Sequence, residues 1–183
     1  MIDGAPRVVA VARDGSHRFS KVLETEIRLI AGLGVDGDAH CGEKVQHRSR
    51  VAVNPDQPNL RQVHLLAFEV IEEMNGKGYA FSPGDLGENV TTSGIALSEL
   101  PRGTHLRLGR EAVIEITGLR NPCAQIEAFR PGLLGEVVRK GADGAIERRA
   151  GIMAVVVSGG IVRPDDTIGI ELPPEPHVAL ERV

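Results

Sequence analysis

The sequence predicts a mainly β fold with inserted helices, arranged as a closed or partly open barrel, and three observations lead there. Twenty-two glycines and eleven prolines in 183 residues supply turns at a density that suits short strands better than a helical bundle. Hydrophobic residues make up 42% of the chain but aromatics only 3%, with no Trp, so the core has to be assembled from Val, Ile, Leu and Ala. Apolar runs of strand length recur at even intervals between turn formers, with few stretches of helical period among them.

Taken in order, residues 7–12 and 26–30 are rich in β-branched and aliphatic side chains, and residues 61–66 and 87–92 also read as strands. Thr104-His105-Leu106-Arg107-Leu108 alternates polar and apolar, as a half-buried strand does, and Gly109-Arg110 reads as a hairpin turn into a strand over 112–117. Residues 152–157 form a continuous apolar run, and 167–172 alternate again. Leu66, Val70, Ile71 and Met74 share one face of a helix that stops at Asn75-Gly76. A second helix is predicted to start at Asn121-Pro122 and a third to cover 133–140. No repeat, low-complexity tract or dividing linker interrupts the pattern. One domain over 1–183 is expected, with its core at about 6–172 and a frayed tail after Pro173-Pro174.

A formal net charge of −4 gives no general basic field, so nucleic acid is not an expected partner. No apolar run approaches the roughly 20 residues of a membrane span, and the first residues lack the pattern of a signal peptide. Two cysteines, Cys41 and Cys123, are too few for a disulfide framework, and the cytoplasm is the expected location.

Gly32-Leu33-Gly34-Val35-Asp36-Gly37 matches the glycine pattern of dinucleotide-binding loops. That mechanism needs a helix whose N-terminus faces the pyrophosphate, and Asp38-Ala39-His40-Cys41-Gly42-Glu43 carries no apolar stripe. Asp36 and Asp38 would also repel a phosphate. The glycines are read as a sharp loop instead.

The sharpest local signal is Arg120-Asn121-Pro122-Cys123-Ala124-Gln125. Asn is a preferred N-cap and Pro a preferred first helical residue, which places Cys123 in the first helical turn. Unpaired backbone N–H groups there, with Arg120 just upstream, favour thiolate, the nucleophilic and metal-binding form. A small, buried apolar side chain is the alternative for a free cysteine.

In order along the chain, Gly37-Asp38-Ala39-His40, Asn59-Leu60-Arg61-Gln62-Val63-His64-Leu65, Pro83-Gly84-Asp85-Leu86-Gly87-Glu88-Asn89-Val90-Thr91-Thr92 and Gly118-Leu119-Arg120-Asn121-Pro122-Cys123 together resemble a stand-alone MOSC domain, the fold named after the C-terminal domain of molybdenum cofactor sulfurases. The segment from Ala150-Gly151-Ile152-Met153 to Pro164-Asp165-Asp166 fits as well, so the likeness covers roughly residues 6 to 172. The resemblance implies a β-barrel with a pocket for molybdenum cofactor (molybdopterin), and Cys123 as molybdenum ligand or sulfur carrier. A soft thiolate suits a metal that already carries sulfur ligands. For the phosphate end of the pterin, Arg61 and Arg120 are the candidates, with Asn121 beside them; Lys44, Arg48 and Arg50 are weaker. Asp38 and His40 form a loop that the family brings near the cysteine, where His40 could donate to substrate or shuttle a proton. Glu88 and Asn89 could bond the cofactor or simply the loop backbone. Cys41 stands where a small residue would be ordinary, and is read as packing filler.

Two functions follow from that resemblance. One is an oxidoreductase that reduces N-hydroxylated small molecules, as the amidoxime-reducing relatives do, with electrons from a separate donor protein. The other is a sulfur carrier or cofactor-binding module that holds a persulfide on Cys123, supplied by a separate sulfur-donor protein because the chain carries no pyridoxal-phosphate domain. A zinc site from His40, Cys41, His47 and Cys123 is disfavoured, because the spacing does not match the usual frameworks.

Overall fold

A computed structural model describes residues 4–46, 51–141 and 144–183. Its main sheet runs in the order β13-β7-β8-β11-β5-β6-β1-β2. The strands are β1 (Arg7–Arg13), β2 (Val22–Glu24), β5 (Val63–Ala67), β6 (Val90–Ser93), β7 (His105–Leu108), β8 (Ala112–Leu119), β11 (Ile152–Ser158) and β13 (Ile168–Glu171). Neighbours are antiparallel except β5 and β6, which are parallel and joined through helix α1 (Phe68–Gly76). A three-stranded sheet orders β12 (Gly160–Val162), β3 (Ile27–Ile30) and β4 (Gly34–Val35), and β9 (Val138–Lys140) pairs with β10 (Ile146–Arg148). Helices α2 (Ala124–Phe129) and α3 (Leu133–Val137) complete the elements named here.

The main sheet curls until its first and last strands meet, and it is partly open rather than closed. Arg7 bridges Thr167, just before β13, and the Val8 N–H donates to Asp166 O at 2.8 Å. The outer half of β1, Val11 to Arg13, is already taken by β2, so no continuous ladder can form at the seam. Gly32 sits in the tight β3–β4 turn, Gly34 opens β4 and Gly37 lies in the turn after it, all three at positive φ.

Two clusters fill the interior, and they differ in chemistry. The curl of the sheet encloses aliphatic side chains alone, among them Val8, Leu29, Leu65, Leu106, Ile114 and Ile152. The second cluster lies under the helices around Leu66, Ile71, Met74, Ile126 and Leu133, and all five aromatics of the chain, Phe19, Phe68, Tyr79, Phe81 and Phe129, belong to it.

The expected strands are present with ends shifted by one to three residues. β2, β4, β9, β10 and β12 went unread, being two or three residues long and too short to show a period. Three expectations are corrected. The second helix starts at Ala124 rather than Asn121-Pro122, because Arg120 N–H still donates to Gly151 O and keeps the chain extended up to Cys123. The third helix ends at Val137, since residues 138–140 find a strand partner in β10. The tail after Pro174 is docked, not frayed. Leu119 N–H donates to Glu181 O at 2.7 Å and Val183 N–H to Leu119 O at 3.3 Å. Gly118 makes room for it: a Cβ there would lie 2.4 Å from Glu181 O.

Candidate functional site

Cys123 caps α2, with extended backbone at φ −129° and ψ 168°, and its carbonyl accepts the first helical bond from Ile126 N–H at 3.0 Å. It is therefore the residue before the first turn, not within it. Its half-buried thiol donates to Gln125 Oε1 at 3.4 Å and faces a cavity of about 320 Å³.

Of the residues singled out in the sequence, Cys123, His40, Arg61, Asn89, Arg120 and Asn121 line this cavity. They come from the ends of β8, β5 and β6 and from the loop after β4, which places them at one edge of the curled sheet. Asp38 and Glu88 stand behind the lining. Asp38 is a hub: Oδ2 accepts from Lys21 Nζ at 2.6 Å and from Asn89 Nδ2 at 2.9 Å, while Oδ1 accepts from His40 N–H at 2.9 Å and His40 Nδ1 at 3.2 Å. Burial pushes its carboxyl up, but the bonds from His40 and the ammonium of Lys21 more than offset this and hold it far below the usual range. Asn89 in turn accepts from His64 N–H at 3.1 Å and so ties the hub to β5.

Glu88 turns its Oε1 to Gly84 N–H at 2.6 Å and Thr91 Oγ1 at 3.1 Å, the loop-bonding role rather than a cavity role. Burial raises its pKa. Gly84 and Gly87, at φ +87° and +82°, let this loop lie against the backbone of Lys21 and Phe19, where a Cβ would meet carbonyl oxygens at 2.8 and 2.5 Å. Arg120 lies 5.7 Å over the Phe19 ring, and its Nη1 is buried without a hydrogen-bond partner. Burial lowers its pKa, opposed by charge on Cys123 and Glu88.

Sequence reasoning missed several lining residues: Arg18, Lys21 and His64 above all. His64 lay inside a quoted motif without being singled out. Its ring donates from Nε2 to Ala150 O at 2.9 Å, and burial together with nearby Arg120 holds it neutral. Lys21 carries no local signal, since a lysine beside a strand reads as solvated. Lys44 pairs with Asp56 on the surface, and Cys41 is not among the lining residues. His47, Arg48 and Arg50 lie outside the described residues.

Four cationic side chains, Arg18, Lys21, Arg61 and Arg120, line the cavity, and no Asp or Glu is among its lining residues; Arg18 is paired with Asp14 and Lys21 with Asp38, each at 2.6 Å. The buried guanidinium of Arg120, with its Nη1 lacking a hydrogen-bond partner, favours an anion beside it. Among the described residues no three His, Cys, Asp or Glu side chains gather as a metal cluster. A single thiol with cations around it suits a metal that arrives with its own ligands and phosphate, so the donor set fits a molybdopterin-type cofactor.

A partly open β-fold with a thiol-bearing, anion-attracting cavity at one sheet edge is the class defined by these features. The family model of the MOSC domain matches residues 37–169, and the chain belongs to that family. Among solved structures it is similar to the YuaD protein from Bacillus subtilis, at 22% identity and a TM-score of 0.73, covering 93% of this chain and 98% of that one. It is also similar to YiiM from Geobacillus stearothermophilus, at 13% identity and a TM-score of 0.62, covering 95% and 79%. YiiM from Escherichia coli follows at 18% and 0.59, covering 94% and 73%. At these identities the likeness establishes the fold. No curated protein matches the sequence. No helix among the described residues is long and apolar enough to cross a membrane.

Proposed function

We propose that this protein binds molybdenum cofactor in the Cys123 cavity and reduces N-hydroxylated small molecules there. The observation that carries the reading is the placing of the Cys123 thiol in one cavity with Arg61 and with Arg120, whose Nη1 is buried without a hydrogen-bond partner. Cys123 would ligate the metal, while Arg61 and Arg120 would take the phosphate end, with Asn89 and Asn121 as polar neighbours. The cofactor, when bound, supplies the two-electron centre. The overall change is R–NHOH + 2 e⁻ + 2 H⁺ → R–NH₂ + H₂O: the N–O bond breaks and its oxygen leaves as water. The electrons come from a separate donor protein, and two free cysteines suit a reducing cytoplasm. His40, whose Nδ1 lies 3.2 Å from Asp38 Oδ1, would exchange a proton with the substrate.

The half-buried thiol with Gln125 as neighbour also favours a second reading, a persulfide carrier on Cys123. Metal and pterin content of wild type and Cys123→Ala, from cells that make the cofactor, separates the two. Near-stoichiometric molybdenum and pterin, with molybdenum lost in the variant, supports the reductase. Cyanide-releasable sulfur without molybdenum, lost with Cys123, supports the carrier. Unfolding of Cys123→Ala would make the thiol structural and overturn both.

A further inference from the structure

The two thiols of the chain stand in opposite electrostatic settings. Cys41 is half-buried in the loop after β4, where burial raises its pKa and the charges of Asp36 and Asp38 add to the rise. Cys123 is half-buried too, but it faces the cavity of about 320 Å³ and shares that space with Arg120. Both residues are held by the frame: Arg120 N–H donates to Gly151 O at 3.0 Å at the end of β8, and Cys123 caps α2.

The cations of the cavity are not equivalent. Arg18 and Lys21 are engaged by Asp14 and Asp38, whereas Arg120 Nη1 is buried with no hydrogen-bond partner. The Phe19 ring, 5.7 Å from the guanidinium, supplies no acceptor oxygen. Glu88 acts on Arg120 through space, but its Oε1 is already bonded to Gly84 N–H and Thr91 Oγ1, and burial raises its pKa. A buried charged donor without an acceptor is costly, and a carboxylate entering beside Cys123 would satisfy it.

We propose that Cys123 of the cofactor-free chain exchanges selectively with disulfides of small carboxylate-bearing thiols, Arg120 holding the carboxylate while the sulfurs meet. The step is Cys123–SH + RS–SR → Cys123–S–SR + RSH. A new S–S bond forms at Cys123 as the disulfide's own bond breaks, and the thiol proton ends on the departing sulfur. Cys123 is oxidised, and the incoming disulfide is the oxidant. Holding the carboxylate keeps the reacting sulfur beside the thiol, which raises its effective concentration there. The adduct fills the space proposed for the cofactor, and excess small thiol reverses it, so capping and cofactor loading exclude each other. The inference is independent of the reductase reading.

The test uses the purified, cofactor-free chain. With two cysteines in the sequence, Cys41→Ser isolates the reaction of Cys123 and Cys123→Ser that of Cys41. Rates are measured with dithiobis(nitrobenzoate), an anionic disulfide, and dithiodipyridine, a neutral one, each divided by its rate with mercaptoethanol. The anionic-to-neutral ratio of Cys123 is expected to exceed that of the free thiol about tenfold, and that of Cys41 to fall below it. Arg120→Met, added to Cys41→Ser, should bring the Cys123 ratio down to the free-thiol value. Sulfate repeats the test without touching Arg120: at constant ionic strength it should slow the anionic probe and leave the neutral one unchanged. Glutathione disulfide should give a single adduct on the unsubstituted chain, mapped to Cys123 by peptide mass. A Cys123 ratio equal to that of the free thiol, or a high ratio that survives both Arg120→Met and sulfate, would overturn the proposal. None of these readings involves molybdenum, so failure here leaves the reductase standing, and a chain that never binds molybdenum can still show the exchange.

Discussion

Lys21 Nζ lies 2.6 Å from Asp38 Oδ2, and the two side chains are only 4% and 1% exposed. Removing one member of a buried ion pair leaves an uncompensated charge, whereas removing both can be nearly neutral. Lys21→Met is expected to cost about 3–5 kcal/mol, read as a lower urea midpoint. Adding Asp38→Asn should recover part of that loss. A cost under about 1 kcal/mol in the single variant would mean that water already reaches the pair.

The same pair sets an acid limb. Asp38 titrates below its ordinary value of 3.8 in the folded chain, so around that pH the unfolded chain holds more protons. Its contribution is fully present above the ordinary value and is lost as pH falls below it. Glu73, held down to about 2 by Arg149, titrates in the same window, so the comparison must be between Asp38→Asn and wild type. The stability of Asp38→Asn should fall less steeply between about pH 5 and pH 2. Parallel curves would show that Asp38 keeps its ordinary titration.

Arg120 brings a buried, unpartnered Nη1 to the cavity, which an anion would satisfy. Arg120→Met should weaken retention of the phosphate-bearing pterin at least tenfold, since charge-assisted bonds to phosphate are worth about 1.5–3 kcal/mol. Arg61→Ala should act in the same direction. Glu88→Gln removes the negative charge that acts on Arg120 and should tighten retention instead. Pterin content after gel filtration reads all three, and equal retention throughout would move the anion site elsewhere.

Gly118 is kept bare by space rather than by backbone angle. An added Cβ would lie 2.4 Å from Glu181 O and 2.5 Å from Val183 Cγ1. Gly118→Ala is expected to lift the tail off β8 and to destabilise by about 1–3 kcal/mol, the usual range for overpacking. Because Leu119 N–H then loses Glu181 O, faster hydrogen exchange at Leu119 is the local signature. Unchanged exchange would show that the tail gives way without leaving.

Strands with a clear period could be read in the sequence, since alternation along β7 and the apolar run of β11 are local properties of the chain. So could Cys123, whose Asn-Pro approach signals a helix start even though the helix begins one residue after it. The ordered motifs also indicated the family, and most of the residues picked from them do line one cavity.

Other features needed the fold. Whether residues 138–140 continue a helix or pair as a strand depended on β10 arriving beside them. The tail looked free because its partner, Leu119, is about 60 positions away in sequence, and a single-residue bridge leaves no pattern. Lys21 was illegible for the same reason. Its charge is tolerable in the interior only because Asp38, from a loop three strands further on, meets it there. Local period and turn chemistry are written residue by residue, but a buried ion pair and the cavity it supports exist only between segments that the sheet brings together.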